Sequence, residues 1–324
     1  MIPLFIYAKS PWDPYTLEPT GKYRNWFQWR ASLMCGWSPW FDPVVKWHPG
    51  ETGVYLDAYA IYNNTPSKPT DTAVLHPEWI AVDAAGNKLY IPWNCANGMC
   101  PQCAANIRHQ GFIAAQIQQI AGFMKLGYQT IFLDDVNLEP RVSNGNGNFV
   151  LPANCPDAQS WAGAFAQFVQ ALRTACPSAQ FIHNSIWFSS QPQALIDKQI
   201  KAATLIACER GFGDANLNPT TFQAFMSFID HVHSLDRNVL QDEYTKDNLA
   251  FKIACFLLMY EPGDLMCVEN LFPDAWDSKM DVAFGQAKGP RHAVTGGDGA
   301  TTFARDFEKV SVTVDFVKRI GTIR

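Results

Sequence analysis

No stretch of the 324-residue sequence approaches the ~18–20 consecutive apolar residues of a bilayer-spanning helix, so a membrane span is not expected. Charge is scarce as well: 17% of residues are charged, the formal net charge is −5, and no Lys/Arg run occurs, which leaves no electrostatic basis for nucleic-acid binding. There is no G-x-G-x-x-G and no Walker A motif after any early strand, so neither a dinucleotide nor a nucleoside triphosphate is expected, and no cofactor. Gly296-Gly297-Asp298-Gly299 comes late, follows no predicted strand and reads as a turn. The sequence also lacks a Ser or Cys nucleophile elbow, a catalytic metal motif, an internal repeat and an interdomain linker. The expectation is one domain over residues 1–324. Met1 to Ala8 is apolar, but it has no basic leader and no small-residue cleavage site, so it reads as a first strand.

Hydrophobic residues make up 48% of the chain, enough for a large core. Aromatics are abundant, at 11 Trp, 22 Phe and 10 Tyr. Several Trp fall in predicted loops: Trp12, Trp37, Trp40, Trp47, Trp93, Trp187 and Trp276. Exposed rings of this kind either cover the ends of a core or form flat platforms on which sugars stack. Nine cysteines divide into two kinds. Cys35, Cys208, Cys255 and Cys267 lie in apolar runs and read as buried thiols. Cys95-x4-Cys100-x2-Cys103 suits a disulfide-stapled loop ahead of a structural zinc loop, since a fourth ligand, His109 or Cys155, would have to come from the fold.

The hydrophobic pattern alternates strand and helix through most of the chain. Predicted strands are Ile2–Ala8, Val54–Tyr62, Thr130–Asp134, Gln180–Asn184, Thr204–Glu209, Asn238–Asp242 and Asp264–Val268. Predicted helices are Tyr23–Met34, Ala104–Leu126, Ala158–Thr174, Pro192–Lys201, Thr221–Leu235 and Asn248–Met259. Trp79–Trp93 and Thr301–Asp315 read as hairpins, and Arg141–Asn154 as an active-site loop. Repeated strand–helix units imply a parallel sheet with right-handed crossovers. About eight strands favour a single closed (β/α)8 barrel, a TIM-type α/β fold with elaborated loops at the strand C-termini, over a doubly wound open sheet.

Polar residues collect at the predicted strand ends. Lys9 follows the first strand, Asp57 lies in the second, and Asp134-Asp135 close the strand after the long helix. Asn184, Glu209 and Asp242-Glu243-Tyr244 end the next three. Acids beside buried strands are costly, and four such ends are hard to ascribe to chance. Two acids with no metal, nucleophile elbow or cofactor suit glycosidic bond cleavage, in which one carboxylate attacks or stabilises the anomeric carbon and a neutral one protonates the leaving oxygen. Asp134, beside Asp135 and a polar loop, is expected to stay ionised. The apolar approach Leu205–Cys208 is expected to raise the proton affinity of Glu209. Asp135, Asp57, Asn184, Trp187, Asp242, Glu243, Tyr244, Tyr7, Trp37 and Trp93 are candidates for substrate contact. Asp242 and Glu243 cannot share a face, because strand side chains alternate. His183 reads as a core residue, and His231 and His233 as surface or capping groups.

Gly127–Asp135 resembles the GYDGIFLDDV stretch of bacterial barrels in hypothetical glycosyl-hydrolase-like family 15, which is related to glycoside hydrolase family 114, the endo-α-1,4-polygalactosaminidase type. Trp79–Gly86, Ala179–Asn184, Ala203–Glu209, Val239–Tyr244 and Phe303–Val314 are similar, in order, to later segments of those barrels, so the resemblance spans roughly residues 75 to 315. It implies Asp134 as nucleophile or stabiliser, Glu209 as general acid/base, and a bacterial exopolysaccharide or cell-surface glycan as the substrate class. With the loop cysteines, that substrate implies a secreted, periplasmic or surface-associated protein. Gln129-Thr130 replaces the family's Asp-Gly, and the Cys95–Cys103 and Arg141–Asn154 segments have no counterpart. A non-catalytic carbohydrate-binding barrel and a metal-independent polysaccharide lyase using Tyr7 or Lys9 are the alternatives.

Overall fold

The computed structural model describes residues 1–8, 22–37, 39, 43–62, 72–95, 100–185, 187–269, 271, 273–294 and 300–324. Lys9, Trp12, Trp40 and the Gly296–Gly299 turn lie outside these residues. Eight strands hydrogen-bond into a closed parallel barrel: β1 Leu4–Ala8, β2 Ala31–Gly36, β3 Glu51–Asp57, β4 Thr130–Val136, β5 Gln180–Ser185, β6 Leu205–Glu209, β7 Asn238–Glu243 and β8 Leu265–Val268. Their order around the ring is the order in the chain, as right-handed strand–helix–strand crossovers require. Packing groups the chain into two compact units, 1–54 with 205–324, and 55–204.

In the first unit, β1 pairs with β2 and β8, and β7 lies between β6 and β8. Helix α1 is Lys22–Arg30; it stops four residues short of the expected Met34 because Ala31–Gly36 becomes β2. Ala31-Ser-Leu-Met has ample helix propensity, but pairing between β1 and β3 decides its conformation. The C-terminal residues form a four-stranded antiparallel sheet, His292–Ala293, Thr302–Asp306, Ser311–Asp315 and Ile320–Ile323, twice the strands of the expected hairpin.

In the second unit, the segment expected as one strand over Val54–Tyr62 breaks at Asp57, whose Oδ1 accepts the amides of Tyr59 and Ala60 at 3.0 and 2.7 Å and turns the chain. Ala60–Tyr62 then pairs with Gln102–Ala104, so the long helix, α2 (Gln110–Lys125), begins at Gln110 and not at Ala104. His109 caps it by accepting the Gly111 amide. Helix α3, Ala158–Ala175, opens with a capping box between Asp157 and Ser160 and buries Trp161, Phe165, Phe168 and Val169. Each such side chain contributes about 1.5–3 kcal/mol on burial. The Asp83–Asn87 turn is present, held by Asp83 Oδ1 on the Ala85 and Asn87 amides.

Of the two forms open to the cysteine loop, Cys95 and Cys100 are disulfide-bonded. Cys103 is a separate buried thiol, opposite Ile61 in the short antiparallel pair, which removes it from a three-cysteine zinc loop. No group of three or more His, Cys, Asp or Glu among the described residues is arranged to hold a metal ion. No helix among them is long and apolar enough to cross a membrane.

Candidate active site

Two groups of polar side chains stand at strand C-termini, one in each unit. In the 55–204 unit the centre is Asp134. Between Leu133 and Val136 the register of β4 against β5 shifts, and Asp135 takes a left-handed conformation, φ +54°. Asp tolerates that region better than most residues, and an irregularity of this kind re-aims the neighbouring side chains. Asp134 Oδ1 accepts the Asp135 amide at 2.8 Å and Asn184 Nδ2 at 2.8 Å; Oδ2 accepts the Tyr55 hydroxyl at 2.6 Å. Three donors fix this carboxylate in one orientation. Tyr55 is itself stacked on Phe132 at 6.0 Å. Burial and the adjacent Asp134 carboxylate hold its phenol protonated far above neutral pH. Tyr55 was not among the expected residues. Two positions before Asp57 it shares that residue's strand face, the one signal that could have indicated it.

Asp135 points elsewhere. Both its oxygens accept Trp93 Nε1 at 3.1 Å, and Asn137 Nδ2 lies 3.2 Å from Oδ1. The Trp93 ring is 41% exposed, with the Arg141 guanidinium 5.6 Å from its centroid. Pinned at its nitrogen, Trp93 has the fixed orientation a sugar-stacking platform requires. Arg141 begins the expected active-site loop, which is tied down by Tyr59 hydroxyl to the Arg141 carbonyl at 2.9 Å and by the Tyr90–Ser143 bridge. Burial, then the charges of Asp135 and Asp134, push the Asp57 carboxyl well above the usual range, against two backbone amides that oppose the shift. Asp57 is thus a second acid, with a raised proton affinity, beside an oriented carboxylate. Trp187, partly exposed, contacts Phe188 edge-on at 5.3 Å. His183 is buried and bonded to Gln199 at 3.2 Å, the core residue it was expected to be.

In the other unit the strand-end acids separate by face, as alternation requires. Asp242 is 4% exposed and accepts the Tyr7 hydroxyl at 3.3 Å. Glu209 lies directly beside it in register on β6. Glu209 itself is exposed, while the approach Leu205–Cys208 leading to it is buried, as expected. Tyr244 is 38% exposed with Arg210 5.7 Å from its ring, and Trp37 is 44% exposed.

Glu243 is the correction among the expected substrate contacts. It is fully buried on the opposite face of β7 from Asp242 and is consumed by internal bonds. Its oxygens accept the Phe212 amide at 2.8 Å, the Gly213 amide at 2.9 Å and Gln241 Nε2 at 2.8 Å, with Lys252 Nζ at 3.6 Å. A Cβ on either Gly211 or Gly213 would collide with the Glu243 carboxyl, so this turn has to be glycine. His233, on helix α4 (Pro219–Ser234), bonds to Asp264 at 3.1 Å in a structural role.

Burial, with smaller contributions from Glu269 and Glu209, pushes the Asp242 carboxyl up to about 8 from the usual 3.8. The folded chain therefore keeps this proton over the window from about pH 4 to about pH 8, where the unfolded chain has lost it. Stability present at low pH is lost as pH rises through that window, by up to ~1.4 kcal/mol per unit, and the loss is complete above the folded value. Asp242→Asn is isosteric and does not titrate. Its thermal midpoint is expected to match the wild type near pH 4 and to exceed it increasingly up to pH 8, by on the order of 5 kcal/mol in stability. Parallel midpoints across that range would contradict an ionising buried carboxyl here.

No family model matches the sequence, and no curated protein matches it. Solved structures do share the fold. The glycoside hydrolase domain of PelA from Pseudomonas aeruginosa aligns with a TM-score of 0.53 at 12% identity, over 83% of this chain and 95% of that one. An alpha-amylase from Lactobacillus plantarum aligns at TM-score 0.51 and 8% identity, over 96% and 87%. Alpha-N-acetylgalactosaminidase NagBb from Bifidobacterium bifidum aligns at TM-score 0.53 and 12% identity, over 99% of this chain and 57% of that one. At these identities the likeness is one of fold, the parallel (β/α)8 barrel.

Proposed function

We propose that this barrel is a glycoside hydrolase acting on a polysaccharide, with Asp134 as nucleophile or transition-state stabiliser and Glu209 as general acid/base. The observation that carries the reading is the setting of Asp134. A strand-end carboxylate held in one orientation by Tyr55, Asn184 and the Asp135 amide is aimed, which is what attack on, or stabilisation of, an oxocarbenium-like centre demands. Exposed Glu209 is accessible to a leaving-group oxygen. Trp93, pinned beside the acid cluster, supports a sugar subsite next to Asp134, and Trp37 and Tyr244 offer further stacking surface. That solved barrels of this shape include enzymes named for glycan cleavage agrees with the reading. The substrate class proposed is a bacterial exopolysaccharide or cell-surface glycan cut within the chain, which places the protein outside the cytoplasm.

The test is a panel of bacterial exopolysaccharides and α-linked glycans, assayed for new reducing ends with wild type and Glu209→Gln. Cleavage by wild type and its loss by on the order of 10²–10⁴ in the Gln variant is the expected result. Undiminished cleavage by Glu209→Gln would remove Glu209 from the role. Binding of a glycan to the wild type without any cleavage would favour a carbohydrate-binding barrel instead.

A further inference from the structure

Asp242 has no part in the reaction as described, yet it is the most unusually placed acid at these strand ends. It is a Cα partner of Glu209 across the β6–β7 pairing and of Cys267 across β7–β8. Partners in parallel register present their side chains on the same face of the sheet, so the Asp242 and Glu209 carboxyls are neighbours. Asp242 is 4% exposed, while Glu209 opens to solvent. One Asp242 oxygen meets the Tyr7 hydroxyl at 3.3 Å; the other, Oδ1, is sealed from solvent with no hydrogen-bond partner. Ionised, that oxygen would carry charge in a dry place with no donor among the described residues, and the Cys267 thiol gives the carboxyl only weak help. Among the described residues Glu269 adds a further negative charge nearby.

We infer that Asp242 and Glu209 work as one carboxyl pair holding a single proton near neutral pH, with Asp242 as a positioning residue that keeps a proton available to Glu209. The catalytic meaning of the pair rests on the reading of Glu209 as acid/base; the pair itself rests on the register and on the unpartnered oxygen. Exposure explains why pairing is needed. A glutamic acid open to water is ordinarily ionised at pH 7 and then has no proton to give to a leaving group. Two adjacent carboxyls cannot both ionise cheaply, so the second proton leaves the pair only at higher pH. Burial of Asp242 strengthens the effect, because the pair cannot relieve its repulsion by drawing water onto Oδ1. Tyr7 donates to the Asp242 oxygen when that group is ionised and accepts from it when it is protonated, so it serves both states.

The test is a pH titration of carboxyl ¹³C shifts in the full chain, comparing wild type, Asp242→Asn and Glu209→Gln. Wild type is expected to show one carboxyl titrating near pH 8 that disappears in Asp242→Asn. In Glu209→Gln, which changes only an exposed side chain, that same resonance is expected to move down by at least ~0.5 pH unit, because a neighbouring charge has gone. An unmoved midpoint in Glu209→Gln, or an Asp242 carboxyl titrating in the ordinary range, would overturn the pair. The experiment needs no substrate, so its outcome is independent of whether the chain proves to be a glycosidase. Where cleavage is found, Asp242→Asn is expected to shift the alkaline limb of kcat/KM toward acid by at least ~1 unit, whereas a merely structural Asp242 would lower activity at every pH alike.

Discussion

Asp134→Asn is expected to lower kcat/KM on any glycan the wild type cleaves by on the order of 10⁴ or more, while glycan binding and the folded state persist. The size follows from what the substitution removes. Asn keeps an oxygen to accept from Tyr55 or the Asp135 amide, so the side chain stays where its donors hold it. The negative charge is lost, and with it both the capacity to attack and the stabilisation of a positive anomeric centre. Stability should not fall, because Asp134 is one of the charges that push the Asp57 proton affinity up, and removing it relieves that repulsion. Reducing-end kinetics and calorimetric binding on the same variant check both halves. A variant that binds and turns over like wild type would move the nucleophile elsewhere, with Asp57 and Asp135 next to be tested. A variant that neither binds nor melts cooperatively would show Asp134 to be a structural acid.

The barrel was legible in the sequence because its evidence is local. Strand β4 and helices α2 and α3 each carry their own periodicity, and the alternation of such units leaves few topologies. The boundary errors came where a distant partner decides: Ala31–Met34 could be helix by propensity and is strand by pairing, and Val54–Tyr62 reads as continuous until Asp57 turns back on its own amides. At the site, the strand-end acids were visible because a carboxylate after an apolar run is conspicuous. Their environments were not visible. That Tyr55 holds Asp134, that Glu209 is open and Asp242 sealed, and that Glu243 faces away into a glycine turn are properties of residues 30 to 80 positions apart in sequence. Alternation told that Asp242 and Glu243 must diverge; only the fold tells which one goes where.

Glu243→Ala is expected to cost about 3–5 kcal/mol, the range for breaking a buried ion pair by removing one partner, and to do so with Glu209 untouched. The turn Gly211–Gly213 follows Glu209 by one residue, Arg210, which sits in a left-handed conformation at φ +68°. Glu243 holds that turn by its amides from one side; Arg319 holds it from the other, donating to the Phe212 and Asp214 carbonyls at 2.9 and 3.3 Å. Removing the carboxylate strands the buried Phe212 amide and the partly buried Gly213 amide and leaves Lys252, on helix α5 (Leu249–Met259), bonded to Thr245. If the ion pair were the main contribution, replacing both charges together, Glu243→Leu with Lys252→Met, would restore most of the loss, as apolar replacement of buried pairs often does. The amides argue otherwise, since no apolar side chain can accept from Phe212 and Gly213. The double variant is therefore expected to stay at least ~2 kcal/mol below wild type, and Glu243→Gln, which keeps an acceptor oxygen, to fall between. Chemical denaturation of the three variants orders them. A double variant as stable as wild type would show that the turn needs no acceptor, and would leave the position of Glu209 to be explained by β6 alone.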